Sequence, residues 1–233
     1  MAGITNADFL IKVIPYGFDM VTLGGYNIDS PTINAGDKIL KRGRSEFNIP
    51  KEEIFNHISE EVNKIKNFKK DILVSANLRS TTPDEIIKIS KIPNLDVVEI
   101  NCHCRQKELL AIDCGQNMLK RPDLKDFICE ITENARSIVS VKIRANVPGV
   151  DTLKIAKLID ECGVDFIHVD AMNPGVPDAD FDIISKISDE IDGFLIGNNS
   201  INNENQIKKM LNSGADGFSI GRSLINGSLD FKI

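Results

Sequence analysis

Runs of β-branched and other apolar residues recur along the chain. Most are followed by a polar or glycine-bearing loop and then by apolar residues at helical spacing. This repetition of strand, loop and helix predicts a parallel sheet. The predicted strands are residues 19–23, 72–77, 97–101, 138–144, 166–169, 194–197 and 217–220. An eighth strand has to come from the stub at residues 1–3, ahead of a helix over 7–14. Eight such units in 233 residues match a closed barrel better than an open doubly wound sheet. The expected fold is therefore α/β: a single (β/α)8 TIM barrel over residues 1–233, one domain, with a short or truncated first strand.

Composition leaves that picture intact and narrows the function. The chain is 42% hydrophobic and 27% charged, enough apolar material for one large core. A net charge of -6 argues against a broad basic field for nucleic-acid phosphates, so any RNA contact has to be local. No apolar run approaches the roughly 20 residues that span a bilayer, and the start lacks a signal-peptide layout. A soluble, cytoplasmic protein with no membrane partner is expected. Cysteines at 102, 104, 114, 129 and 162 form no secreted framework and are expected to be reduced thiols.

Barrel active sites lie on the loops at the C-terminal ends of the strands, which directs attention to those segments. In Ser140-Val141-Lys142-Ile143-Arg144, strand alternation sends Val141 and Ile143 toward the helices and Ser140, Lys142 and Arg144 inward. The two cations either pair with carboxylates such as Glu99 or Asp170, or bind an anion or cofactor. Two of them at the top of one strand favour binding. Gly197-Asn198 and Gly221-Arg222 end the last two strands, where barrels commonly hold a phosphate on free backbone N–H groups. Taken singly, the glycines only finish strands. Cys102-His103-Cys104 is no tetrahedral zinc pattern, so no metal is expected. Both thiols suit buried packing, but a strand-end loop beside cations also suits an acid or nucleophile. His168 alone decides nothing, and His57, on a helical stretch, is given no role.

Together these strand ends resemble the flavin barrel of the tRNA-dihydrouridine synthases and, more distantly, the dihydroorotate dehydrogenases. Met1-Ala2-Gly3-Ile4-Thr5-Asn6 is similar to the family's Pro-Met-x-Gly-x-Thr-Asp loop, which implies FMN contacts from Ala2 and Gly3. Asn77 stands where the family places a flavin-contacting amide. Ile100-Asn101-Cys102-His103-Cys104 resembles Ile-Asn-x-Gly-Cys-Pro, which implies that Cys104 is the catalytic cysteine, with Gly115 at the expected distance downstream. Here His103 replaces glycine and Arg105 replaces proline. Val141-Lys142-Ile143-Arg144 is similar to Val-Lys-x-Arg, whose lysine lies by the flavin pyrimidine ring. Ile167-His168 matches the strand-six histidine, with Val169-Asp170 where Gly-Arg is usual. Gly197, Asn198, Gly221 and Arg222 match the phosphate loops, with Asn199 in place of a glycine.

The resemblance implies an FMN-dependent oxidoreductase, reduced by NADPH or NADH, that passes hydride between flavin and C6 of a uracil-type ring. Cys104 would handle the proton at C5, Lys142 would stabilise the flavin edge, and Asn101 and Arg144 would contact ring carbonyls or flavin. After Gly221-Arg222 only residues 223–233 remain, where the tRNA enzymes continue into a helical RNA-binding domain. Three readings follow. One is a minimal dihydrouridine synthase acting on tRNA, aided by a partner or by homo-oligomer formation. Another is a flavoenzyme acting on a free small pyrimidine. The last is a non-redox phosphate-binding barrel.

Overall fold

The computed structural model describes residues 1–231 and 233. Seven parallel strands lie side by side in chain order: β1 (Met20–Asn27), β2 (Leu73–Arg79), β3 (Val97–Cys102), β4 (Ile138–Arg144), β5 (Phe166–Asp170), β6 (Phe194–Asn198) and β7 (Gly217–Ser219). The helices among them are α1 (Ala7–Val13), α2 (Ser30–Lys41), α3 (Ile54–Phe68), α4 (Pro83–Ile89), α5 (Lys107–Leu110), α6 (Leu124–Asn134), α7 (Thr152–Asp160), α8 (Phe181–Ser188) and α9 (Glu204–Asn212).

The predicted α/β barrel class holds, but the seven described strands form one parallel sheet curled into a half-barrel: β7 does not pair with β1, so the expected closed eight-stranded ring is not formed. The stub at residues 1–3 differs from expectation: it forms a turn, not a strand. Residues 1–3 join no ladder among the described residues, and just beyond them Thr5 forms an isolated antiparallel bridge with Gly24. Three residues offer too few ladder hydrogen bonds to offset the ordering of an edge strand.

Alternation explains how one strand serves two environments. Val139, Val141 and Ile143 are fully buried against the helices, as are Val98, Ile100, Ile167 and Val169 on the neighbouring strands. The other face of each strand looks inward, and there most of the buried residues are polar, Ser75, Asn77, Arg79, Glu99, Asn101, Ser140, His168 and Asp170, with Val97 and Ile196 the apolar ones on β3 and β6. An interior of this kind departs from the branched apolar filling usual in barrels. It costs stability unless every group finds a partner.

Side-chain caps start the helices where the loops end. Asp29 accepts from Thr32 N at 2.9 Å to open α2, and also from Thr81 N at 2.6 Å, which ties the ends of β1 and β2 together. Asp151, Asp180 and Asn203 open α7, α8 and α9 in the same way.

One cysteine expectation is corrected. Cys129 on α6 and Cys162 just after α7 form a disulfide, with Cα atoms 4.8 Å apart. Cys102, Cys104 and Cys114 are free. The bonded pair is 33 residues apart in sequence and is joined only by the side-by-side packing of two helices, so cysteine spacing carries no sign of it.

Gly197 also acquires a structural reason. A Cβ at this position would run into the side chain of Met210 on α9, so the missing side chain is what lets α9 lie close against β6. A Cβ at Gly221 would meet nothing within 4 Å. Gly197→Ala is expected to destabilise by about 1–3 kcal/mol through overpacking. Gly221→Ala meets no clash but places a side chain on sparsely allowed backbone (φ -116°, ψ -91°) and should cost about 1 kcal/mol, both read by chemical denaturation.

Candidate active site

Sheet register stacks the inward residues in layers. Asn77, Glu99 and Ser140 are neighbours across β2, β3 and β4. One step higher, Asn101, Lys142 and His168 align across β3, β4 and β5. Highest are Arg144, Asp170, Asn198 and Ser219, from β4 to β7.

Glu99 is the hub of the lower layers. Its carboxylate accepts from Asn77 Nδ2 at 2.7 Å and lies 2.5 Å from His168 Nδ1 and 3.4 Å from Ser140 Oγ. Burial acts to raise its pKa, but His168, Lys142 and the hydrogen bonds outweigh burial and hold the carboxyl well below the usual carboxylate range. Burial, then the charge of Lys142, lowers the pKa of His168, so the ring is neutral. An ionised Glu99 requires the proton on Nδ1, and Nε2 therefore accepts from Ser219 Oγ at 2.7 Å. Both ring nitrogens of His168 are thus engaged inside the barrel.

Lys142 is half-buried, projects inward beside His168, and has no ion pair with any described residue. Of the two fates open to the β4 cations, each takes a different one. Arg144 pairs with Asp170 at 2.8 Å, whereas Lys142 stays free within the protein's polar interior.

Asn101 fixes the loop that follows β3. Its Nδ2 donates to Asn77 Oδ1 at 2.7 Å, while its Oδ1 accepts from the backbone N–H of Cys104 at 3.1 Å and of His103 at 3.3 Å. Through Oδ1, the Asn101 amide thus positions Cys104. On the far side, the Cys104 carbonyl accepts from Gln116 N at 2.8 Å. Gly115, at φ +62°, lies so close to that carbonyl that a Cβ would collide with it. The Cys104 thiol is half-buried. Cys102 points the other way, against Met118, where burial pushes its thiol pKa far up. Burial likewise pushes Cys114 up to about 12.

At the ends of β6 and β7, Asn198 donates to the Ser219 carbonyl at 2.7 Å. Asn199 (φ +119°) and Ser200 (φ +53°) hold left-handed backbone that glycine adopts at lower cost. Arg222 is exposed and forms no ion pair with a described residue. Ala2 and Gly3 lie in the N-terminal turn, and Gly3 packs directly on the backbone of Ser45 and Glu46.

Several residues of this site escaped the sequence reading. Arg79 is buried, donates to Glu46 Oε2 at 2.6 Å and Asn27 Oδ1 at 3.1 Å, and lies within electrostatic range of Cys104. Its Nε has no partner. Ser219 and His103 joined the site only through strand register and loop path. A polar residue at an inward position of an otherwise apolar strand was the available signal. No three His, Cys, Asp or Glu side chains among the described residues group as a metal site. No helix among them is long and apolar enough to cross a membrane.

A parallel β/α barrel with a polar, hydrogen-bonded interior, a free lysine and a half-buried cysteine at its strand ends has the makings of an enzyme. The chain belongs to the dihydrouridine synthase family, whose model matches residues 45–227. An uncharacterized protein of Methanocaldococcus jannaschii is 37% identical over 99% of this chain and 89% of its own length. The tRNA-dihydrouridine synthase B of Yersinia pestis is 24% identical over 64% of this chain; the match spans 50% of that enzyme. Among solved structures, FabK from Thermotoga maritima shares the fold, with a TM-score of 0.61 and 14% identity, over 97% of this chain and 57% of that one.

Proposed function

We propose that this protein is an FMN-dependent oxidoreductase that interconverts a uracil-type ring and its 5,6-dihydro form. The observation that carries the reading is Lys142: a half-buried lysine without an ion pair, in register with the asparagine that holds the Cys104 loop. A cation left free in a polar interior favours an anionic ligand or an anionic edge.

The residues present fit a phosphorylated flavin at two points. Open space at Gly221, the exposed Arg222 and the left-handed Asn199–Ser200 backbone beside Asn198 suit a phosphate. Lys142 suits the ring edge that becomes negative on reduction. Asn77 and His168, which hydrogen-bond inside the barrel, Gly197, which packs on Met210, and Ala2 and Gly3 of the N-terminal turn are the other proposed flavin contacts. Bound FMN would supply hydride exchange with C6 of the ring, replenished by NADPH or NADH. Lys142 keeps a positive charge fixed beside the flavin's place. Asn101 holds the Cys104 backbone, and Cys104 holds the proton that moves to or from C5. The family name of the relatives supports uridine within tRNA as substrate, and a free pyrimidine ring is the alternative.

Titration of the purified protein with FMN tests the reading. Parent protein is expected to bind FMN with quenching of its fluorescence, and Lys142→Met to bind it about 10–100-fold more weakly. NAD(P)H oxidation by the loaded protein, with unmodified tRNA and with free pyrimidines, then assigns the substrate. Failure of the parent to take up FMN overturns the reading.

A further inference from the structure

Residues from two strand ends, His103 after β3 and Asp170 of β5, come together over one arginine. Arg144 donates through Nη2 to Asp170 Oδ2 at 2.8 Å and through Nε to the His103 carbonyl at 3.2 Å. The His103 ring extends toward the same carboxylate, with Nδ1 3.9 Å from Asp170 Oδ2. That nitrogen is buried and has no hydrogen-bond partner, which is a costly state for a ring in a finished core. Burial, then Lys142, holds the imidazole well below its ordinary pKa. It therefore carries one N–H and one lone pair and can donate from either nitrogen. Asp170 Oδ1 has no hydrogen bond to a described residue, and Arg144 retains N–H groups beyond the two it uses.

The cluster thus sets the Asp170 carboxylate, an acceptor, beside the N–H donors of Arg144 and His103, at the highest inward layer of the barrel. An imide edge, carbonyl, N–H, carbonyl, is acceptor, donor, acceptor. The match is complementary. A cytosine edge, with its ring nitrogen unprotonated, sets a lone pair against Asp170 and is disfavoured. The placement also suits the chemistry. Cys104 comes from the loop after β3 and Asp170 from the end of β5, two strand spacings or about 10 Å apart, which leaves room for one six-membered ring.

We propose that Arg144, Asp170 and His103 recognise the O2–N3–O4 imide edge of a uracil-type ring, with Asp170 accepting the N3 proton. The proposal rests on the flavin-oxidoreductase reading and specifies its substrate. It makes Asp170 the specificity-determining residue.

The full-length protein loaded with FMN is titrated calorimetrically with uracil, 1-methyluracil, 3-methyluracil and cytosine. Uracil and 1-methyluracil are expected to bind alike, and 3-methyluracil and cytosine ten- to a hundredfold more weakly, the range for one lost hydrogen bond to a charged group. Asp170→Asn should weaken uracil by a similar factor and narrow its margin over 3-methyluracil. His103→Gly should weaken uracil while leaving that margin in place. The methyl comparison on the parent protein needs no variant, so a misfolded variant does not spare the proposal. Equal binding of the two methyluracils, or no binding of any free pyrimidine, overturns it. FMN content is read on the same samples: uptake of FMN without discrimination at N3 defeats this proposal alone, whereas absence of FMN uptake defeats the flavin reading.

Discussion

Cys104→Ala is expected to leave FMN affinity within about twofold of the parent and to slow turnover by about 10²–10⁴-fold, the usual contribution of a positioned general acid. The selectivity of the effect follows from where the three free thiols lie. Cys102 faces the helices beside Met118 and Cys114 is buried near the Ser80 carbonyl, and burial raises the pKa of both. Neither has a path to a ring at the strand ends. Cys104 is the half-buried one, and its loop is fixed at both ends: the N–H by Asn101 and the carbonyl by Gln116. Single-turnover oxidation of the reduced, FMN-loaded protein by its substrate measures the step directly. Cys102→Ala, prepared in parallel, is expected to lose packing but to keep its rate. If Cys104→Ala turned over as fast as the parent, the proton would have to come from elsewhere.

The site was partly legible in the sequence because barrel geometry converts alternation into direction. The 138–144 run became β4 with the predicted bounds, and its Ser140, Lys142 and Arg144 point inward as expected. Most other strands end within a residue or two of prediction. β1 is the exception, running on through Gly24, Gly25 and Tyr26 to Asn27, a stretch whose glycines read as a loop.

Pairing between strands was less legible. Lys142 and Arg144 had the same two carboxylates as candidate partners. Only the register shows that Glu99 lies against His168, leaving Lys142 free, while Asp170 takes Arg144. Those partners are 26 to 69 residues apart in the chain, beyond any local pattern. Gly197 carries the opposite lesson. Its place at a strand end suggested a phosphate, whereas its immediate cause is a methionine on the next helix.

Glu99→Ala is expected to lower the free energy of unfolding by about 3–5 kcal/mol at pH 7, because one substitution strands several buried groups at once. His168 Nδ1–H, one Asn77 Nδ2–H and Ser140 Oγ–H lose their acceptor, and Lys142 loses a compensating charge. The pH profile separates this network from a simple packing defect. In the parent, Glu99 has a depressed pKa, so its contribution is present above the ordinary value of 4.5 and is lost as pH falls through the folded value. His168 and His103 are also depressed from 6.5, but for a base this means that the unfolded state takes up protons first. Parent stability should therefore begin to fall below about pH 6.5 and fall more steeply below about 4.5. Glu99 is among the groups that raise the pKa of His168. Its removal deepens the depression, so Glu99→Ala should keep or enlarge the loss that begins near 6.5 while its step below 4.5 shrinks. Urea denaturation of both proteins from about pH 2 to about pH 8 gives the two curves. Parallel curves at a constant offset would mean that Glu99 acts by volume alone.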